Sequence, residues 1–131
     1  MRTGSVLFIL VVFGIWLSEA CKITLKVRST TKTPFKLQVY VPAMQLKTER
    51  VLFNGPSEKK VQIDGDSNKC MEKKWVFRTW KQDKDGNWVV AKETHGKLVG
   101  VGFIRIIVDD SLNPMANDRM GIACSEGAVC G

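Results

Sequence analysis

The chain has one histidine and one tyrosine in 131 residues, and it contains neither a Cys-x-x-Cys pair nor a glycine-rich phosphate loop. Each scarcity removes a class of chemistry. A hydrolase needs a nucleophile with a base beside it, and the usual base is histidine. The single His95 stands in Glu93-Thr94-His95-Gly96, which reads as an exposed turn between two strands. A zinc site needs closely spaced cysteines or further histidines, so neither a metal nor a cofactor is expected. Asp64-x-Asp66-x-Asn68 begins like a calcium loop, but Lys69 holds the sixth position, where glycine belongs, and no glutamate holds the twelfth. Asp64, Asp66, Asp83, Asp85, Asp109 and Asp110 all fall in expected turns, where aspartate is favoured for backbone reasons. No catalytic residue is assigned, and the chain is read as a non-enzyme.

Helical periodicity is also missing before residue 110. Strand alternation stands in its place. Ile23, Leu25 and Val27 alternate with Lys22, Lys26 and Arg28, and Phe35, Leu37, Val39 and Val41 alternate with Lys36, Gln38 and Tyr40. Short strands follow at Arg50 to Phe53 and Lys60 to Ile63, and Met44 to Glu49 is ambiguous. Lys74 to Lys81 and Trp88 to Lys92 flank Asp85-Gly86, a strong hairpin signal because glycine tolerates positive φ. Leu98 to Val108 alternates again, with Gly100 and Gly102 marking a bulge, a bend or a closely approaching backbone. Asn113 is placed to cap a single helical turn begun by Pro114, and the tail ends in a cysteine clasp. The fold class is therefore all-β, a small disulfide-stabilised barrel or sandwich of six or seven strands.

No apolar run after residue 20 is long enough to cross a bilayer. The run before it, Val6 to Leu17, spans only about 18 Å as a helix against the ~30 Å hydrocarbon core. With Arg2 ahead of it and Ser18-Glu19-Ala20 behind, residues 1–20 read as a cleaved secretory signal, and 21–131 as one secreted, extracellular β domain. Cleavage removes Arg2 and Glu19, so the 20 basic and 13 acidic residues become 19 and 12, still a net charge of +7.

Cys21, Cys70, Cys124 and Cys130 all follow the signal, and an even count in a secreted chain implies two disulfides with three connectivities to choose from. Cys124 and Cys130 are close enough to form a small ring turning at Gly127, which leaves Cys21 for Cys70. In the chain-entropy picture the longer loop is worth roughly 4 kcal/mol and the shorter roughly 2.4 kcal/mol.

The basic balance bears on partners. Lys22, Lys26, Arg28 and Lys36 are candidates for one basic sheet face, with Lys59, Lys60, Lys69, Lys73 and Lys74 elsewhere. Such a face attracts an anionic glycan or an acidic extracellular protein, while lysines also simply solubilise strand faces and edges. Tyr40, Trp75 and Trp80 are candidate aromatic contacts. Trp75 and Trp80 have opposite parity in one strand, and at least two of Trp75, Trp80 and Trp88 are expected in the core. Basic strands with aromatics superficially suggest a nucleic-acid-binding barrel, but secretion argues against a nucleic-acid partner.

Cys21-Lys-Ile-Thr-Leu-Lys-Val, Lys74-Trp75-Val-Phe-Arg-Thr-Trp80, the Trp88 strand, and Asp118-Arg-Met-Gly-Ile-Ala-Cys124 with Cys130-Gly131 carry a resemblance. Over nearly all of the chain after the signal, the sequence resembles the small secreted proteins of clade V nematodes, including hookworm excretory-secretory proteins. Some of those are similar in fold to the netrin-like module, a small β-barrel of the oligonucleotide-binding type. The resemblance implies a non-enzymatic protein released by a nematode, acting on extracellular or host proteins. It also implies an alternative, because netrin-like metalloproteinase inhibitors chelate the protease zinc through the amine and carbonyl of a disulfide-held N-terminal cysteine. Cys21 takes that place here, although Ile23 stands where those inhibitors have a second cysteine.

Overall fold

A computed structural model describes residues 21–65 and 68–131. The expected signal segment and Asp66 of the calcium-like stretch lie outside the described residues. The fold is all-β, a curled half-barrel cross-linked by two disulfides. Its strands are β1 (Cys21–Ser29), β2 (Phe35–Val41), β3 (Leu46–Lys47), β4 (Val51–Phe53), β5 (Ser57–Gly65), β6 (Trp75–Gln82), β7 (Trp88–Val108) and β8 (Met115–Ser125). They lie in the order β3-β2-β6-β7-β1-β5, with β4 also on β2 and β8 also on β7. Among the described residues only β1 and β7 run parallel; the other pairs are antiparallel.

β7 is the spine. The two runs expected at Trp88–Lys92 and Leu98–Val108 are one strand of 21 residues, and His95 lies within it rather than in a turn. The signal was lost because the inward positions between the two runs are Thr94 and Gly96. Thr94 donates its hydroxyl to the Pro114 carbonyl at 2.9 Å, and Gly96 leaves the space that Val129 fills. Fully straight, 21 residues would reach about 70 Å, far beyond a domain whose radius of gyration is about 13 Å. The strand therefore curls, and its register slips at Thr79/Trp80 against β6 and twice against β8. Its first half pairs with β6, and its second half lies between β1 and β8.

Alternation sorted the two faces of β1, β2 and the start of β6 as expected. Ile23, Leu25, Val27, Phe35, Leu37, Val39, Val41, Trp75 and Phe77 are buried, and Phe35 stacks on Phe53 with centroids 4.9 Å apart. Asn113 and Pro114 begin no helical turn. Residues 109–114 instead form a loop whose buried Leu112 accepts a 2.6 Å hydrogen bond from the Thr79 hydroxyl at its carbonyl. Asp64 belongs to β5 rather than to a turn, and its carboxylate accepts from the Gln62 side chain at 2.8 Å. Cys21 bridges to Cys70 and Cys124 to Cys130. Among the described residues no helix is long and apolar enough to cross a membrane.

Candidate functional site

Strand order decides which cations share a face. Lys22, Lys26 and Arg28 lie on β1 between β5 and β7, whereas Lys36 lies on β2 among β3, β4 and β6. The four residues expected on one basic face therefore belong to different halves of the curled sheet. The reason is topological: β1 and β2 follow one another in the chain, but β6 and β7 come between them.

The β1 half neutralises its arginines. Arg105 on β7 donates to Glu58 of β5 at 2.8 Å and to Asp118 of β8 at 2.5 Å, and Arg28 approaches the same Glu58 carboxylate at 3.7 Å. Lys26 lies over the Phe103 ring at 4.0 Å, and Thr24 donates to Gln62 at 2.6 Å. The hydrogen bonds from Arg105 hold both the Glu58 and Asp118 carboxyls below their ordinary values, and the guanidinium, raised in turn, stays charged throughout. Because both carboxyls are depressed, their stabilisation is complete above the unfolded-state values near 4 and is lost as pH falls through the lower folded ones. Arg105→Met should therefore melt below the wild type at pH 7, with the gap closing between pH 5 and pH 2. A gap that stays constant in a pH series of thermal melts would show that the ion pairs contribute nothing.

The β2-β6-β7 half is built differently. Its outer positions run in rows across the strands: Lys47, Tyr40, Val76 and His95; then Gln38, Arg78 and Glu93; then Leu52, Lys36, Trp80 and Val90. Three cations lie over three rings. The Arg50 guanidinium is 3.6 Å from the Trp80 centroid, Lys36 Nζ is 4.5 Å from Trp88, and Lys47 Nζ is 5.7 Å from Tyr40. None of these cations has a carboxylate within salt-bridge reach among the described residues. A cation over a ring keeps its hydrogen-bond donors outward, so the ring orients the charge without quenching it.

In the centre, Arg78 donates to Glu93 at 3.0 Å, and the other oxygen of that carboxylate meets His95 Nε2 at 3.1 Å. Gln38, Tyr40, Lys47, Val76 and Arg78 line a shallow depression of about 230 Å³. Small-molecule pockets run from about 300 Å³ upward and enclose their ligands, so this depression suits one protruding side chain better than a substrate. His95, the one histidine, thus sits exposed on a carboxylate, and among the described residues no three His, Cys, Asp or Glu are grouped to hold a metal.

The tryptophans correct one expectation. Of the three described tryptophans Trp75 alone is fully buried, with its Nε1–H donating to the Cys70 carbonyl at 2.7 Å. Trp80 and Trp88 are half-buried under their cations, on the face opposite Trp75. The Trp80 indole nitrogen is covered yet has no acceptor. Sequence reasoning named Tyr40, Trp80 and Lys36 but missed Lys47 and Arg50: Lys47 stands in the ambiguous stretch where no periodicity assigns a face, and Arg50, expected to open a short strand, lies just before β4. Cys21 is the first residue of β1, wholly buried, with Gly65 and Gly100 opposite it on either side. No protein-family model matches the chain, and neither does any curated protein, so what this face does follows from its residues and their geometry.

Proposed function

We propose that the chain is an exported, non-enzymatic binding module that engages an anionic extracellular partner through the outer face of β2, β6 and β7. The observation that carries this reading is the set of three ring-oriented cations on one open face, Lys36, Lys47 and Arg50, none of which has a carboxylate partner among the described residues. Two disulfides suit an oxidising compartment, the residue pattern of 1–20 suits export, and the resemblance to secreted nematode proteins points the same way. The register of β1 disfavours the alternative in which the Cys21 amine chelates a protease zinc, because Cys21 is paired with Gly65 on one side and Gly100 on the other instead of standing clear of the sheet.

Heparin serves as a general polyanion probe of the face. A triple variant Lys36→Glu, Lys47→Glu, Arg50→Glu should bind it about tenfold more weakly, three lost contacts at ~0.5 kcal/mol each. A control triple with the same change of net charge, Lys22→Glu, Lys26→Glu, Lys60→Glu, should lose far less. Equal losses in the two variants, with both still folded by circular dichroism, would mean that net charge alone governs binding and would overturn the assignment of this face.

A further inference from the structure

On the reading that this face binds anions, its Lys47 end narrows the ligand further, because that end has depth. Two adjacent rows build it: Lys47, Tyr40 and Val76 in one, Gln38 and Arg78 in the next. These five residues line the depression of about 230 Å³, and no acid is among them. Thr48 fixes its rim. The Thr48 amide donates to the Val39 carbonyl at 2.9 Å, its hydroxyl accepts from the Val39 amide at 3.0 Å, and its carbonyl accepts from the Gln38 side chain at 3.0 Å. Lys47, one residue before, is thereby held beside Tyr40 with its ammonium over that ring.

Arg78 supplies a fork. Its Nε–H donates to Glu93 at 3.0 Å, and the other oxygen of that carboxylate meets His95, so the guanidinium is anchored through one edge. Its two terminal amino groups have no acceptor among the described residues. A planar guanidinium held at Nε still presents a pair of parallel N–H donors, the geometry that takes two oxygens of one anion. Both oxygens of a carboxylate are engaged by that pair, whereas a sulfate monoester has a third terminal oxygen to give to Lys47 or the Tyr40 hydroxyl. Val76 adds an apolar wall, and Lys47 already covers the Tyr40 ring, the face on which a sugar would stack. A sulfate carried on a flat ring therefore meets this lining better than one carried on a pyranose.

We infer that the depression takes a tyrosine O-sulfate presented by a partner protein, with the sulfate on the terminal amino groups of Arg78 and on Lys47 and the phenyl ring against Val76. The ligand is a single protruding side chain, as the small volume requires. Tyrosine is the aromatic side chain that carries such an ester on exported proteins, which suits a chain with two disulfides.

The test uses the oxidised exported chain and four small probes: a short Gly-Ser peptide carrying one sulfotyrosine, the same peptide with tyrosine or with glutamate at that position, and a sulfated heparin disaccharide. Long-chain heparin again reports on the face as a whole. The sulfotyrosine peptide should bind at least tenfold tighter than the other three small probes, and its ring should move the Val76 methyl resonances upfield. Arg78→Lys, an outward substitution that keeps the charge and removes the fork, should weaken that peptide about tenfold and leave long-chain heparin within twofold of the wild type. The glutamate peptide or the disaccharide binding as tightly as sulfotyrosine would overturn this inference, and so would an Arg78→Lys variant that binds the sulfotyrosine peptide unchanged. Long-chain heparin that still separates the two triple variants would leave the anion-binding face standing in each of those cases. No binding by any probe, long-chain heparin included, would overturn both.

Discussion

Replacing Cys21 and Cys70 together with alanine is expected to remove about 4 kcal/mol of stability, against about 2.4 kcal/mol for the same change at Cys124 and Cys130. The first bridge closes a loop 49 residues apart in sequence and the second a loop of 6, so the longer one restricts the unfolded chain far more. Both sulfurs of the longer bridge are buried, which is why alanine rather than serine is the proper substitute: two new hydroxyls would need partners there. The bridge also secures the start of β1, the strand that joins β5 to β7, to the turn from which Cys70 accepts the Trp75 indole proton. Domains of this size are stable by only about 5–15 kcal/mol, so the double variant should sit near the edge of folding at 37 °C. Urea denaturation of the two double variants beside the wild type measures the difference. A larger loss at the short clasp would reverse the entropic account.

Gly100→Ala is expected to cost about 3 kcal/mol or more, whereas Gly86→Ala should cost about 1 kcal/mol. The two sites share a positive φ, +128° at Gly100 and +83° at Gly86, so both substitutions carry conformational strain. They differ in space. A Cβ on Gly100 would lie 2.1 Å from the Gly121 carbonyl oxygen, which belongs to the backbone of β8 and cannot rotate away, while a Cβ on Gly86 would meet nothing within 4 Å. Gly121 returns the contact, since its own Cβ would lie 2.1 Å from the Val101 oxygen. Each kilocalorie is worth about 4–8 °C in Tm for a domain of this length, so the Gly100 variant should melt at least about 12 °C below the wild type. Thermal melts of both variants test this. Equal shifts would show that β8 yields to the added methyl group.

The correctly expected elements are those whose pattern is written within one strand. In β1, β2 and the first part of β6, apolar and polar side chains alternate, and the pleat turns that alternation directly into an inner and an outer face. β8 escaped notice because it offers no such pattern. Among Met115 to Ser125 only Ile122 is buried, and polar Asn117, Asp118 and Arg119 stand exposed in succession. The candidate face was legible only in pieces. Lys36, Tyr40 and Trp80 were assigned outward positions or opposite parity correctly, but their grouping with Lys47 and Arg50 was not foreseeable, because it passes through pairings between strands remote in sequence.

By itself the sequence settled the all-β class, the inward rows of β1 and β2, and the hairpin turning at Gly86, while of the three cysteine pairings it only favoured the one that the structure shows. All of these rest on neighbours a few residues apart. The tertiary structure alone decided which positive charges are spent and which are free. By setting β1 between β5 and β7 it delivered Arg28 and Arg105 to Glu58, and by setting β2 beside β3, β4 and β6 it left Lys36, Lys47 and Arg50 resting on aromatic rings with no acid among the described residues to meet them. The physical reason is that the direction of a side chain is a local property of the pleat, whereas its electrostatic partner is chosen by long-range strand pairing.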